Sequence, residues 1–435
     1  MPPSAHPTLA SAPGGSPRPI VLGGDIGAYG TARAFHEAFG VTSVVLAGAA
    51  TWPVRDSSIV DLRVVGEELT VEAVVRRVRA VVAEEPGRTH VLLASADWLV
   101  DVVVAARAAL AADGVVVPYA AAEVVAAASH KGTVMRACER LGLPHPRTLV
   151  VAAGSEVPAE VPLPAVVKFA STADAHDVDY AGRAKVHRVT DRAELVALLG
   201  RIGATGYTGD VLVQEELPGG DAAMAAVNVM VDAAGRVTFA QLGRVLLEEH
   251  TPTALGNSVA QVTADASSDA AARASIDDVL ELLRDLDWRG FANVDLMRGA
   301  DGRYRVLEIN PRVGRSGFAP TASGYNVARL YVEGWIGAAG AVAPAGGDGG
   351  ASGDDGAASA PAVLGEREHL FVVVPLAILR RYAPDARAQV RALRRAGAVT
   401  NPLYYRAERN PRRWLFIAVA MVNQVRKFRR FHPGA

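Results

Sequence analysis

Residues 291–316 read FANVDLMRGADGRYRVLEINPRVGRS, two stretches of alternating apolar and polar residues on either side of Asp301-Gly302. That dipeptide is favoured in tight two-residue hairpin turns. With the turn placed there, residues facing each other across the hairpin have numbers of constant sum. Asp295 lies opposite Glu308, and Asn293 opposite Asn310. Side chains alternate along a strand, so these four share one face. Two carboxylates directly opposed repel each other. A hard divalent cation such as Mg²⁺ removes the repulsion, taking one or two carboxylates and leaving its other positions to phosphate and water. The hairpin is read as a metal platform rather than a solvated edge. Its polar face is carboxylate and amide instead of mixed charge, and Pro311 stops the second strand. Beyond it, Arg312, Gly314, Arg315 and Ser316 suit an anionic ligand.

Composition narrows the alternatives. A chain of 435 residues, half of them hydrophobic, can hold two or three lobes with sizeable cores. A net charge of −1 gives no global attraction to nucleic acid. One cysteine, Cys138, excludes an internal disulfide or a cysteine-based metal site, and fits a reducing cytoplasm. Residues 1–18 are rich in Pro, Ser and Ala without a basic start or apolar core, which predicts a disordered leader and not a signal peptide. No apolar run reaches membrane-spanning length. Only Lys131, Lys168, Lys185 and Lys427 are lysines among 45 basic residues. In so arginine-rich a chain, a lysine is a better functional candidate than usual, because a planar fork cannot replace a compact ammonium everywhere.

In chain order, the apolar run 19–24 followed by Asp25 and a helical stretch predicts the start of a doubly wound α/β lobe over 19–125. Further strands are expected at 43–47 and 90–94. The glycines at 23, 24, 27 and 30 do not form a dinucleotide fingerprint, which excludes a nicotinamide site. Asp97, just past the 90–94 strand, is either a helix cap or a group at the ligand edge. Ser129 is placed as the cap of a helix that carries Lys131 in its first turn and ends at Leu141-Gly142. Lys168 lies in the apolar strand LPAVVKF, where it must snorkel or meet a buried anion. The small, polar loop between Lys168 and Lys185, which includes Arg183, suits a lid over phosphates. Arg244 and His250 are candidates for substrate or phosphate contact. A helix is expected over 266–287, and another over 321–337 with Asn326 near its start. Residues 337–365 read as a disordered linker. The segment 366–435 ends in a basic amphipathic helix, which either docks on the catalytic part or lies at an anionic membrane surface.

Asp295 followed by Glu308-Ile309-Asn310-Pro311-Arg312 resembles the metal and acyl-phosphate motif of ATP-grasp carboxylate–amine ligases. The stretches at 19–40, 206–224, 241–257 and 290–318 together resemble the D-aspartate ligase group of that family, from about Pro19 to Gly334. The C-terminal NPLYYRAERNPRR is similar as well. The resemblance implies an α/β ATP-grasp fold, with a pre-ATP-grasp lobe at 19–125 and an ATP-grasp domain at 126–336 whose lid covers about 148–215. It implies ATP and Mg²⁺ as cofactors. Asp295, Glu308 and Asn310 would hold the metal. Lys131, Lys168, Lys185, Gln214, Glu215, Glu216, Asp221 and Asn293 would meet the nucleotide, with Asp221 on the ribose. Arg312, Lys168 and Arg315 would serve the chemistry, and Gly314, Ser316, Arg244 and His250 the substrate. The implied reaction joins D-aspartate, or D-glutamate, to the side-chain amine of the diamino acid in a nucleotide-linked muropeptide. It would take place in the cytoplasm or at the inner face of the membrane. Two alternatives stand beside it: a ligase making another amide or dipeptide outside cell-wall synthesis, and a catalytically silent, membrane-associated nucleotide-binding scaffold. The intact acidic and arginine set speaks against silence.

Overall fold

The computed structural model describes residues 16–66, 69–171, 178–184, 186–252, 254–337 and 362–432. Most of the expected leader and linker lies outside these residues, as do Lys185 and the middle of the expected lid loop.

The N-terminal lobe is built on four short parallel strands, β1 (Arg18–Leu22), β2 (Ser43–Ala47), β3 (Val60–Val64) and β4 (His90–Ala94), in the order β3-β2-β1-β4. Strands β1, β2 and β4 are continuous apolar runs because helices cover the sheet: α1 (Ile26–Phe39), α2 (Val71–Glu84) and α3 (Asp97–Ala111). Asp25 caps α1 by accepting from the Ala28 N–H. Strand β3 was not among the expected strands; its alternation of charged and apolar residues fits an edge strand.

Helices α4 (Ala122–Ser129) and α5 (Lys131–Leu141) lead out of this lobe. Ser129 ends α4, and His130 caps α5 through Nδ1, 3.2 Å from the Thr133 N–H. That corrects the expected cap. A second sheet follows, of β5 (Thr148–Ala152), β6 (Ala165–Phe169), β7 (His187–Val189) and β8 (Asp210–Glu215), ordered β5-β8-β6-β7 and backed by α6 (Arg192–Gly203).

The large sheet carries β9 (Met224–Val231), β10 (Val237–Glu249), β11 (Asn257–Thr263), β12 (Gly290–Arg298) and β13 (Tyr304–Asn310), with α7 (Ala270–Asp285) packed on it. Its order is β13-β12-β9-β10-β11, continued by β15 (Leu370–Val372) and β16 (Val399–Thr400) from the C-terminal segment. One more strand, β14 (Val363–Leu364), falls inside the stretch read as linker and pairs parallel with Phe239 and Ala240. The cause is geometric. Strand β10 is longer than β11, which pairs only from Gly243 onward, and β14 takes up the backbone groups left at 239–240. The helix expected over 321–337 is broken into α8 (Phe318–Ala322), α9 (Val327–Tyr331) and a π turn, with Asn326 capping α9.

The rest of the C-terminal segment forms α10 (Leu376–Tyr382), α11 (Arg387–Arg395) and α12 (Pro411–Phe431). Helix α12 docks on the protein. Arg413, wholly buried, lies 3.1 Å from the Glu408 carboxylate and donates to Pro53 O at 2.7 Å, with its guanidinium over the Tyr29 ring. Tyr29 Oη donates to the same carboxylate. Burial, opposed by the Arg413 charge and aided by Glu408, pushes the Tyr29 phenol well above its ordinary pKa.

At Gly290, where β12 begins, φ is +89°, and an added Cβ would lie 2.5 Å from Pro118 O. Gly290→Ala is expected to lower unfolding free energy by about 2 kcal/mol or more, through left-handed strain and the clash together. Chemical denaturation of parent and variant checks this.

Candidate active site

The hairpin β12–β13 presents its polar face as expected, by a different route. Its turn is a three-residue loop, Ala300–Gly302, with Gly302 at φ +81° and the Gly299 N–H donating to Arg303 O. Alone, that would shift the register by one. A bulge at Leu307 compensates: Arg298 faces Tyr304 and Leu296 faces Val306, yet Asp295 faces Glu308 and Asn293 faces Asn310. Two one-residue departures cancel at the site.

Polar contacts bind this face together. Asn310 Nδ2 donates to Asp295 Oδ2 at 3.0 Å and to Asn293 Oδ1 at 3.3 Å. Asn293 Nδ2 in turn donates to Asn228 Oδ1 at 3.0 Å, both residues being buried. Asn228, on β9, was not singled out from the sequence, although an amide inside the apolar run AAVNVMV is a signal for it. Gly314 belongs to the same cluster, because a Cβ there would come within 2.9 Å of Asn293 Oδ1.

Lys131 supplies positive charge. Its Nζ is 3.0 Å from Glu308 Oε2 and its side chain is largely buried. Burial alone would lower its pKa, but the charge and hydrogen bond of Glu308, helped by Asp97 and Asp295, raise it above the ordinary lysine value. A solvated helix lysine is thereby excluded. Lys131, expected at nucleotide phosphate, thus stands beside the carboxylates of the hairpin face. The Lys131 backbone N–H donates to Ala170 O at 3.0 Å, so the start of α5 is tied to the end of β6, two residues beyond Lys168. Half-buried Lys168 pairs through its backbone with Leu212 of β8.

Two arginines of the loop after β13 reach different elements. Arg312 Nε lies 2.7 Å from Asp97 Oδ1, bringing the N-terminal lobe to the site. Asp97 is the first residue of α3, whose cap position is Ala96, so its carboxylate serves this ion pair and not a cap. Arg315 lies 3.6 Å from the buried carboxylate of Glu249, and Ser316 is buried beneath the loop.

Other expected residues are placed elsewhere or engaged otherwise. Arg244 is not brought to the cluster: it is tied to Asp269 at the start of α7 and to Glu368, 2.8 Å away. On a strand, a one-residue difference decides the face, and Arg244 points toward α7. His250 Nε2 lies 3.0 Å from Asp221 Oδ2, which also accepts from the Glu248 N–H. Gln214 donates to Thr148 Oγ1, the Glu215 N–H donates to Arg147 O, and Glu216 pairs with Arg188. Arg183 lies in the lid region. Buried Cys138 has its thiol pushed up to about 12, chiefly by burial, and is inert.

Two carboxylates and an amide oxygen on one rigid face fit hard-cation chemistry and suit Mg²⁺. In Lys131→Met, Glu308 loses its 3.0 Å ammonium partner. Added Mg²⁺ should then raise the melting temperature by roughly 2 °C more than in the parent. Equal shifts in differential scanning fluorimetry would count against this face as the cation site.

No family model matches the chain. Over 426 residues, 95% of this chain and 96% of the relative, it is 27% identical to a D-aspartate ligase of Enterococcus faecium. An L-amino acid ligase from Bacillus licheniformis superposes with a TM-score of 0.50 at 16% identity, covering 70% of this chain and 69% of that one. A biotin carboxylase–beta-gamma-ATP complex from Campylobacter jejuni gives 0.54 at 12% identity, with coverage of 73% and 71%. The chain thus has the ATP-grasp fold and is similar, over nearly its whole length, to a D-aspartate ligase.

Proposed function

We propose that the chain is an ADP-forming carboxylate–amine ligase that activates an acidic D-amino acid, D-aspartate or D-glutamate, and joins it to the side-chain amine of a nucleotide-linked muropeptide. The observation that carries the reading is the single cluster uniting Asp295, Glu308, Asn310 and Lys131 with the arginine loop that follows. The similarity to a D-aspartate ligase across 95% of the chain supports the choice of substrates.

In this reading Asp295, Glu308 and Asn310 would hold Mg²⁺, which would supply charge neutralisation during phosphoryl transfer. Lys131 and Lys168 flank the nucleotide, with Lys185, Gln214, Glu215 and Glu216 along the lid and hinge. The donor carboxylate attacks the γ-phosphorus, an O–P bond forms, and the bond to ADP breaks. Arg312 and Arg315 hold the resulting acyl phosphate by charge-assisted hydrogen bonds. An uncharged amine then forms the C–N bond, phosphate leaves, and the amine proton passes to solvent. Asp97 keeps the Arg312 guanidinium oriented between turnovers. Asp221 and His250 act as a pair at the nucleotide edge, with Gly314 and Ser316 shaping the donor pocket.

The test is ADP release with D-Asp, D-Glu, L-Asp and L-Glu against a UDP-linked muropeptide. Turnover is expected with a D-acid, falling by about 10²-fold or more in Arg312→Ala. No turnover with any of the four would remove the cell-wall assignment, and turnover with other amines alone would favour an amide or dipeptide ligase.

The reading extends to an anionic membrane as a docking surface. Residues 362–435 carry fifteen basic and four acidic side chains in a chain whose net charge is −1. Helix α12 has no acidic residue. Its inner face is buried, while Leu415 (64% exposed), Val419 (50%) and Val422 (53%) form an outer stripe. Arg412 and Arg426 lie exposed at either end of that stripe. An apolar strip between arginines suits lipid headgroups. None of the helices among the described residues is long and apolar enough to cross a membrane. Vesicles containing phosphatidylglycerol should co-sediment the protein, with binding weakened by salt and by Leu415→Ser/Val422→Ser. Equal binding to neutral vesicles would contradict this.

A further inference from the structure

The last of the four lysines lies far along the chain from the others and is not absorbed by the reaction just described. Lys427, on the last turns of α12, places Nζ 2.8 Å from Glu249 Oε1. The Glu249 side chain is 1% exposed at the end of β10, and Oε1 also accepts from Thr251 Oγ1 at 2.9 Å. The other oxygen, Oε2, is buried without a hydrogen-bond partner among the described residues, and Arg315 Nη2 is 3.6 Å from it. Arg315 Nε is likewise buried without such a partner. One buried negative charge therefore faces two positive ones. The ammonium is at contact distance, whereas the guanidinium stands just beyond it.

A buried carboxylate seeks a counter-charge, since leaving it unpaired is costly. With Lys427 in place the carboxylate is largely neutralised and held at Oε1, so its hold on Arg315, 3.6 Å away, is weakened and the guanidinium is left available to an anion. Without Lys427 the ion-pair partner left to Glu249 among the described residues is Arg315, and a small movement would close a full ion pair between them. The loop after the metal hairpin would then lose its second arginine to the protein itself. We infer that Lys427 is a positioning residue of the active site: by occupying Glu249, the C-terminal helix keeps Arg315 directed at the phosphoryl group. The inference rests on the ligase reading for the identity of that anion. It also gives a reason for an ammonium at 427, because a compact point charge can hold one carboxylate oxygen without crowding the guanidinium beside it.

The full chain is compared as parent, Lys427→Met, Lys427→Arg, Glu249→Gln and the Lys427→Met/Glu249→Gln double variant. Three readouts are taken: kcat for ADP release, the ratio of Mg·ATP to Mg·ADP affinity by calorimetry, and melting temperature. Lys427→Met should lower kcat by about tenfold or more and reduce the affinity ratio, with nucleotide KM little changed. Lys427→Arg, which keeps the charge but brings a planar fork beside Arg315, should fall between Lys427→Met and the parent. The decisive variant is the double one. A neutral amide at 249 no longer captures Arg315, so kcat and the affinity ratio should return to within about threefold of the parent, a non-additive result typical of side chains in contact. A Lys427→Met variant that keeps parental kcat and affinity ratio would overturn the inference. So would a loss that Glu249→Gln fails to restore, since that is what a purely structural anchor gives. A parent that binds Mg·ATP but forms no ADP with any acid and amine would defeat the ligase reading alone, leaving the affinity ratio to decide the role of Lys427. A parent that binds no nucleotide would overturn both.

Discussion

Two carboxylates held face to face on neighbouring strands constitute an unfavourable arrangement unless positive charge lies between or beside them. Asp295 and Glu308 are in that position, and the fold places Lys131 against them from a helix that begins some 160 residues earlier in sequence. Much of the remaining architecture follows from this constraint. The start of α5 must reach the hairpin, and its backbone carries the end of β6 with it. The amides of Asn228, Asn293 and Asn310 then connect the carboxylate face to the middle of the large sheet, fixing the oxygens on a rigid support.

Around that centre, contributions from distant segments converge. The N-terminal lobe supplies Asp97 to Arg312, and the C-terminal helix supplies Lys427 to Glu249, beside Arg315. The two arginines of one short loop are thus each adjusted by a carboxylate from a different part of the chain. The C-terminal segment is consequently integral to the protein. It extends the large sheet through β15 and β16 and seals Arg413 against the N-terminal lobe, while its outer face stays exposed.

Much of this was legible in the sequence for identifiable reasons. Period-2 alternation with a Pro stop defined the hairpin, and the carboxylate–amide composition of one face distinguished it from an ordinary edge. The correct pairing of Asp295 with Glu308 nevertheless came from two errors that cancel, because neither the three-residue loop nor the bulge at Leu307 leaves a mark in residue type. Arg244 was misjudged because strand periodicity cannot say which face looks toward the site when both neighbours are polar or apolar by turns. Glu249, Asn228 and the role of Lys427 were hidden for a different reason. Their meaning lies in contacts between residues far apart in sequence, and only the folded topology brings those together. The scarcity of lysine was the one local clue, and it pointed to Lys427 without saying what that residue meets.

Cation binding at the hairpin face is measured by replacing Mg²⁺ with paramagnetic Mn²⁺ and following it by electron paramagnetic resonance in the presence of ADP. A nucleotide-dependent Mn²⁺ site is expected in the parent chain and is lost, in a folded protein, when Glu308→Gln removes one charge from the hairpin face. Mn²⁺ binding that survives both Glu308→Gln and Asp295→Asn unchanged would contradict a cation site on that face.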